Sequence, residues 1–148
     1  MKIDIACVGK LKEDYLRAAC AEYLKRLAPY ARLDIRETQD GTIDKEAADL
    51  IKILAARPAA HKIALAIDGK ATTSHGFAKT LENLAISGTS HIVFVIGGSN
   101  GFGDEVLRMC HARLSLSPLT FTHQMARVLL LEQIYRAYRI INNEPYHK

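Results

Sequence analysis

Apolar positions along this chain follow two periods that alternate from one end to the other. An apolar residue at every second position, or an unbroken apolar run, predicts strands over residues 2–9, 31–38, 61–68, 91–96 and 113–117. Apolar residues three and four positions apart predict helices over residues 12–27, 42–57, 77–86, 104–112 and 124–142. Strands and helices that alternate through short links are typical of the α/β class, with a mostly parallel sheet flanked by helices on both faces.

The same pattern predicts one domain over residues 1–148, because it contains no repeat, low-complexity tract or linker. A chain of this length can bury a core large enough for one domain. No apolar stretch approaches the roughly 20 residues that cross a bilayer. The opening MKIDIACVGK has the pattern of a first strand and lacks the features of a signal peptide. We therefore expect a cytoplasmic protein with no membrane partner.

Charge is distributed unevenly along the chain, whose net charge is +4. Residues 1–32 contain seven Lys/Arg against four Asp/Glu, and residues 113–148 contain five against two. The middle of the chain, residues 33–112, contains eight against ten. Two basic ends that form one surface would suit a polyanion such as RNA.

Three cysteines, Cys7, Cys20 and Cys110, are far apart in the sequence and odd in number. No pair has the close spacing of a zinc site or a redox motif. Isolated cysteines of this kind are typical of small buried apolar residues. We therefore expect reduced thiols, no disulfide and no bound metal.

A glycine-rich turn follows the fourth predicted strand, in the sequence VIGGSNGFGDEV of residues 95–106. The turn is not a P-loop, because no lysine follows its glycines. Gly101 and Gly103 match the start of the dinucleotide fingerprint, but Val106 occupies the position of its third glycine. Both common phosphate-binding motifs are therefore excluded.

Two carboxylates, Asp104 and Glu105, follow in the first turn of the next helix, where they disfavour a bound phosphate. The glycine turn therefore predicts close backbone contact with a ligand that has no phosphate. Open α/β sheets bind ligands at the carboxyl ends of their strands. The segments IDGKATTS and SLSPLTFTHQM predict two further loops at that edge. The alternative is that the glycines only form a tight turn.

The sequences VIGGSNGFGDEV and LSLSPLTFTHQMARVLLLEQIYRAYRIINNEPYHK closely resemble the RlmH family of bacterial methyltransferases, as does the opening VGKLKEDYLRAACAEYLKRL. The resemblance extends from end to end, and the terminal PYHK is its most specific part. It implies a SPOUT-type fold with a C-terminal trefoil knot, although knots are rare in proteins. It also implies methylation of N3 of a pseudouridine in 23S ribosomal RNA within the ribosome, with S-adenosylmethionine as the methyl donor.

The resemblance further implies which residues bind the methyl donor. They belong to three segments, IALAIDGK, IGGSNG and SLSPLTFT, and are Leu65, Gly97, Gly98, Leu116, Ser117, Pro118, Leu119, Thr120, Phe121 and Thr122. Backbone groups in these loops would bind the adenine edge without charged side chains. The family commonly has proline where this chain has Thr122, so we expect the end of the third loop to differ.

Four polar residues are candidates for handling the substrate base: His123, Arg127, Tyr146 and His147. N3 of pseudouridine must lose a proton to attack the methyl group well, so a general base or a cation near the ring would help. We favour Arg127 and His147 for this task and Tyr146 for stacking or docking on RNA. Each residue has a structural alternative, namely a helix N-terminal residue for His123, an ion pair for Arg127 and a frayed terminus for the other two.

The last predicted helix is apolar on more than one face and contains four consecutive apolar residues, Val128 to Leu131. The surface helix of a monomer keeps a polar face. The resemblance implies a homodimer through this helix, and the alternative is a helix buried within one chain. Three other functions also stay open: a non-enzymatic RNA-binding module, a nucleotide-binding regulator and a SPOUT methyltransferase that acts on tRNA.

Overall fold

The computed structural model describes all 148 residues, and strands alternate with helices along the whole chain. The strands are β1 (Lys2–Val8), β2 (Arg32–Thr38), β3 (His61–Ala71), β4 (His91–Ile96) and β5 (Ala112–Ser115). The helices are α1 (Asp14–Leu27), α2 (Ile43–Ala55), α3 (Ser74–Ile86), α4 (Asp104–Arg108) and α5 (His123–Ile141). None of these helices combines the length and the apolar character that a membrane span requires.

All five strands are parallel and form one sheet in the order β2-β1-β4-β3-β5. The central strand β4 is buried at five of its six positions, because helices cover both faces of the sheet. The carboxyl ends of the five strands therefore lie along one edge. This arrangement confirms the predicted α/β class with a parallel sheet. The trefoil knot and the single domain over residues 1–148 stay predictions.

Two buried clusters hold the helices against the sheet. On one face, Leu130 and Ile134 of α5 belong to the same cluster as Phe94 of β4, together with residues of α1 and α3. On the other face, Leu54 of α2 packs with Val95 of β4 and with α4. Full burial of an aliphatic or aromatic side chain of this size contributes about 1.5–3 kcal/mol. Every residue of α5 is at least partly buried, so this helix is the centre of its layer.

The third strand is longer than the sequence pattern predicts. β3 continues through the predicted loop, because Leu114 of β5 pairs with both Leu65 and Lys70 around a bulge. Gly69 lies in this bulge, and a Cβ on Gly69 would be 2.8 Å from the backbone carbon of Leu114. The glycine that suggested a loop is instead required by the close approach of two strands.

Two helix boundaries differ from the predicted ones by three residues or more, and the others differ by at most two residues. α3 begins earlier, at Ser74, because Thr73 Oγ1 accepts a hydrogen bond from Gly76 N at 3.0 Å and caps the helix. α4 ends at Arg108, before the predicted end, because Ala112 already belongs to β5. Neither change moves a strand end away from the carboxyl edge of the sheet.

A buried carboxylate connects several elements at the amino-terminal edge of the sheet. Asp4 on β1 is fully buried, and its Oδ2 accepts a hydrogen bond from Arg57 Nε at 2.6 Å and lies 3.0 Å from His91 Nε2. Burial alone would raise the pKa of Asp4, but the hydrogen bonds and charges of Arg57 and His91 outweigh burial and hold this pKa below its ordinary value. Asp4 therefore stabilises the fold in its ionised form.

We predict that Asp4→Asn lowers the free energy of unfolding by about 3 kcal/mol at neutral pH, because it leaves the mostly buried charge of Arg57 without a partner. The contribution of ionised Asp4 to the free energy of unfolding is fully present above the ordinary aspartate pKa of about 3.9. It is lost as the pH falls through the lower pKa of the folded state. Urea unfolding at neutral and at strongly acidic pH measures this. The free energies of unfolding of the wild type and of Asp4→Asn should differ at neutral pH and become equal in acid.

Asp34→Asn is the matched control for this prediction. Asp34 lies opposite Asp4 on β2, but its side chain is 41% exposed and its ion pair with Arg36 spans 3.5 Å. We expect this substitution to change the free energy of unfolding by less than about 0.5 kcal/mol. Equal losses in the two variants would contradict the role assigned to Asp4.

Candidate functional site

A cavity of about 900 Å³ opens at the carboxyl edge of the sheet, next to β3, β4 and β5. Most of its lining comes from three segments: residues 65–68 in and before the β3 bulge, residues 96–102 in the glycine turn, and residues 114–123 between β5 and α5. Leu107 of α4 and Ala126 of α5 complete the wall. The parallel sheet thus brings the three predicted segments to one pocket.

Nine of the ten residues predicted to bind the methyl donor line this cavity, namely Leu65, Gly97, Gly98, Leu116, Ser117, Leu119, Thr120, Phe121 and Thr122. Pro118 does not line it. The Ser117 Oγ accepts a hydrogen bond from Leu119 N at 3.0 Å, and this tight turn leaves Pro118 exposed outside the cavity. Of the four candidates for handling the base, His123 lines the cavity, whereas Arg127, Tyr146 and His147 do not.

Neutral side chains make up almost the whole lining. Asp68 is the only Asp, Glu, Lys or Arg among the lining residues, and its side chain is 75% exposed and lies 3.5 Å from Arg113. Ile67, Leu119 and Phe121 leave apolar surface exposed at the mouth. No lysine or arginine is available for a phosphate, whereas an apolar lining with backbone polar groups suits a flat heterocycle.

The glycine turn is closed by its own backbone. Gly101 N donates a hydrogen bond to Gly98 O at 3.0 Å, and Gly101 has a φ of 76°, a conformation that favours glycine. A Cβ on Gly97 would lie 2.9 Å from Gly101 O. Gly97 and Gly101 are therefore required by the shape of the turn itself.

Gly98 packs against elements beneath the turn. A Cβ on Gly98 would lie 3.0 Å from both Glu46 Oε1 on α2 and Val8 Cγ1 on β1. The absent side chain thus faces β1 and α2. Packing beneath the turn, rather than the approach of a ligand, requires glycine at this position.

Thr122, where the family commonly has proline, caps α5. Its Oγ1 accepts a hydrogen bond from Met125 N at 3.1 Å, an interaction that typically stabilises a helix start by about 1 kcal/mol. The cap fixes the position of His123, the first residue of α5, in the wall of the cavity. The loop therefore reaches the pocket although its last residue differs from that of the family.

Arg127 is buried, and its guanidinium bonds to groups of the same chain. Nη1 donates to Glu37 Oε2 at 2.6 Å, and Nη2 donates to Gly9 O at 2.9 Å. These bonds attach α5 to the ends of β1 and β2. The side chain is 1% exposed and its partners belong to the same chain, so the structure favours a structural role, and a role of Arg127 in handling the substrate stays an untested prediction. The ion-pair alternative describes it.

The C-terminal tail folds back along α5. Tyr146 Oη donates to Glu132 Oε1 at 3.0 Å, and its ring lies edge-on to Tyr135 with ring centroids 4.8 Å apart. His147 Nδ1 lies 3.1 Å from Arg136 Nη1. The tail is therefore packed against the helix and is not frayed.

Tyr146 is a poor candidate for a general base. Burial raises the pKa of Tyr146, and its hydrogen bonds with Tyr23 and Glu132 raise this pKa further. The hydroxyl therefore stays protonated at physiological pH. Tyr146 can still dock or stack against a partner through its ring, which also lies 4.7 Å from the guanidinium carbon of Arg136.

A second cavity of about 220 Å³ adjoins the first and shares three lining residues with it. It lies between the start of α3 and the middle of α5, where Ser74 Oγ donates to Gln133 Oε1 at 2.8 Å. His75, next to Ser74, contacts His147 edge-on with ring centroids 4.7 Å apart. Within one chain, His147 therefore lies near the smaller cavity.

The chain has no group of three or more His, Cys, Asp or Glu side chains arranged to bind a metal ion. All three cysteines are free thiols. Burial raises the pKa of Cys7 to about 12, so this thiol stays protonated and is a poor nucleophile or metal ligand.

A family model described as "Predicted SPOUT methyltransferase" matches residues 1–147. This chain belongs to the SPOUT methyltransferase family. Two similar curated proteins bear the name "Ribosomal RNA large subunit methyltransferase H". The protein of Clostridioides difficile is 47% identical and that of Bacillus pumilus 46%, each over 161 aligned positions that cover 100% of both chains. A solved "probable methylase family protein" from Haemophilus influenzae shares the fold, with a TM-score of 0.59 and 14% identity over 99% of this chain and 70% of that one.

Ten of the 20 residues that line the larger cavity were not among the residues predicted to bind the methyl donor or to handle the base. They are Ala66, Ile67, Asp68, Ile96, Ser99, Gly101, Phe102, Leu107, Leu114 and Ala126. Most are direct neighbours of predicted residues, and that adjacency was the available signal. Glu46 beneath Gly98 gave no signal, because a carboxylate in the first turn of a helix is common.

We predict that Gly98→Ala destabilises this SPOUT methyltransferase by about 1–3 kcal/mol, because the added methyl group would press on Glu46 and Val8. Gly41→Ala is the matched control, since its Cβ would meet only the Lys45 side chain at 3.5 Å, an ordinary contact. Urea unfolding measures both variants, and we expect the control to stay within about 0.5 kcal/mol of the wild type. A Gly98→Ala protein as stable as the control would rule out the packing constraint.

Proposed function

We propose that this protein transfers a methyl group from S-adenosylmethionine to N3 of a pseudouridine in 23S ribosomal RNA. The main support is a pocket with no lysine or arginine in its lining, at the strand ends of a chain that matches, over its full length, relatives named for methylation of large-subunit ribosomal RNA. The choice of pseudouridine N3 rests on the RlmH resemblance of the glycine turn and the C-terminal sequence. An enzyme with this substrate would act in the cytoplasm.

The cavity fits the methyl donor in size and in chemistry. Pockets for ligands of this size enclose about 300–1,000 Å³, and this cavity has about 900 Å³. The donor contains an adenosine and a sulfonium cation but no phosphate, which agrees with a lining that has no lysine or arginine. Gly97, Gly98 and residues 116–122 would bind it through backbone groups, and Phe121 would cover the base.

The bound donor supplies a methyl group that is already activated by the sulfonium. The main task of the chain is then to align the RNA base with that group, and fixed alignment alone lowers reaction barriers strongly. A second task is to accept the proton of N3. We assign this to His123, because it lines the cavity and the capped start of α5 fixes its position.

His147 suits a different task. Arg136 Nη1 can only donate, so His147 Nδ1 accepts, and the neutral ring then has its proton on Nε2. We propose that Nε2–H donates a hydrogen bond to a carbonyl oxygen of the deprotonated base and so stabilises its negative charge. Tyr146 would dock or stack on the RNA beside it.

A basic loop next to the cavity supports binding of RNA. Gln124 on α5 bonds to this loop twice, accepting from Lys12 N at 3.3 Å and donating to Lys10 O at 3.2 Å. Lys10 and Lys12 are exposed, and they lie close in space to His123 in the cavity wall. We propose that these lysines contact phosphates beside the target base.

We also propose that the protein is a homodimer through α5. The buried residues of this helix are Arg127, Leu130, Leu131, Ile134 and Ala137. Helical spacing places Met125 and Leu129 on the opposite face, where Leu129 lines the smaller cavity together with the exposed Phe121 of the preceding loop. A partner chain on this surface would bury apolar area at the mouth of the pocket.

We predict that Leu129→Glu converts the dimer into a monomer, because it would place a charge in the centre of the proposed interface. Sedimentation velocity measures the mass. Ile86→Glu is the control, since Ile86 is equally apolar and 76% exposed at the end of α3, away from α5's outer face. A monomeric wild type at micromolar concentration, or dissociation of both variants, would refute the proposed interface.

Tritium transfer tests the proposed function. Ribosomes from a strain that lacks this protein are incubated with it and with labelled S-adenosylmethionine, and the RNA is digested to nucleosides. We expect the label in N3-methylpseudouridine of 23S RNA. Label on tRNA, or ribosome binding with no transfer, would instead favour the tRNA enzyme or the non-enzymatic module. Absence of any ribosome binding would favour a nucleotide-binding regulator.

In the same assay we predict that His147→Ala lowers single-turnover methyl transfer by about 100-fold. Its affinity for the donor, measured by calorimetry, should stay near that of the wild type, because His147 does not line the larger cavity. His111→Ala, at an exposed histidine outside both cavities, should transfer normally. Equal rates for the His147 variant and the wild type would remove His147 from the mechanism.

A further inference from the structure

Glu46 is a buried carboxylate that lies directly beneath the proposed donor pocket. It is in the first turn of α2 and is 4% exposed. Its Oε2 accepts a hydrogen bond from Gly41 N at 3.0 Å, whereas its Oε1 has no hydrogen-bond partner. A buried carboxylate oxygen without a partner is costly, because burial removes it from water.

The free oxygen of Glu46 points at the glycine turn. Oε1 lies 3.0 Å from the position that a Cβ on Gly98 would occupy, and Gly98 is part of the pocket wall. Only the backbone of one glycine therefore separates this carboxylate from the pocket. The absence of a side chain at Gly98 permits this short separation.

Glu46 has no ionic partner. Asp68, the one charged residue of the lining, lies 3.5 Å from Arg113 at the exposed rim, and Lys45, the residue before Glu46, pairs with Asp49 on the surface. Lys10 and Lys12 beside the cavity are exposed, so water screens their charges. The Gly41 N–H and the start of α2 offset part of the Glu46 charge, and no lysine or arginine pairs with it.

We propose that the Glu46 carboxylate makes the pocket select the cationic methyl donor over its neutral demethylated product. S-adenosylmethionine has a positive sulfonium, and S-adenosylhomocysteine has an uncharged thioether with the same remaining groups. A negative charge beneath Gly98 stabilises the first and not the second. Glu46 acts through space and is a positioning and selectivity group rather than a catalytic residue. This inference rests on the proposed use of S-adenosylmethionine.

Glu46→Gln tests the proposal, because it removes the charge and keeps the shape. Calorimetry measures the affinity for S-adenosylmethionine, for the product, and for sinefungin, an analogue with an ammonium group in place of the sulfonium. We expect the two cationic ligands to lose about tenfold in affinity, the size of one opposite charge at about 10 Å in an effective dielectric constant of about 20. Affinity for the neutral product should change less than about twofold.

Asp44→Asn is the matched control, since Asp44 is an exposed carboxylate in the same first turn of α2. It should leave all three affinities unchanged. Glu46→Asp keeps the charge and should keep the wild-type ratio of donor to product affinity, and this variant decides the matter if Glu46→Gln does not fold.

Two results would overturn the inference. One is an equal loss of affinity for all three ligands in Glu46→Gln, which would show a structural role alone. The other is a donor-to-product ratio that is unchanged in Glu46→Gln or lost in Glu46→Asp. A wild-type protein that binds none of the three ligands would instead refute the proposed function.

Discussion

The packing of the glycine turn against β1 and α2 is the constraint on which the pocket depends. Gly98 lies so close to Val8 and Glu46 that an added methyl group would be 3.0 Å from each and would force them to shift. This close packing limits how the turn can sit above β1 and α2. Because all strands are parallel, the β3 bulge and the loop before α5 face this turn across the same edge. Three segments distant in sequence thereby enclose one space.

Charge is placed around the pocket rather than in it. Arg127 uses its guanidinium to attach α5 to the ends of β1 and β2, and Asp4 performs a similar task at the opposite edge of the sheet. The cavity itself is lined mainly by apolar side chains, neutral polar side chains and backbone groups, with Asp68 at its exposed rim. A neutral interior of this kind rejects phosphates without any repulsive side chain. It also allows one buried carboxylate beneath it to act strongly.

Most of the fold could be predicted from the sequence, because the spacing of apolar residues and the positions of glycine and proline indicate the same elements along most of the chain. The apolar run of β4 and the helical spacing of apolar residues in α1, α2 and α5 are local signals that tertiary contacts did not override. The extension of β3 could not be predicted, since the need for Gly69 arises from a strand far along the chain. Local sequence does not contain that contact.

The chemistry of the site was predictable only in part. The donor loops could be located, because family motifs and strand ends coincide there. The roles of Arg127 and Glu46 could not, because each depends on a partner that the sequence does not identify: Glu37 for the first and Gly98 for the second. The sequence gives the chemistry of each side chain, but the partners that the fold brings to that side chain determine whether it can contact a ligand.

The bulge in β3 leaves part of the pocket lining outside the hydrogen-bonded ladder of the sheet. Residues 66–68 form part of the lining but stand outside the ladder between β3 and β5, which resumes at Lys70. Backbone segments outside a regular ladder open at a lower free energy than those within it. Local opening of this short stretch would therefore widen the pocket while the paired parts of β3 and β5 stay in place.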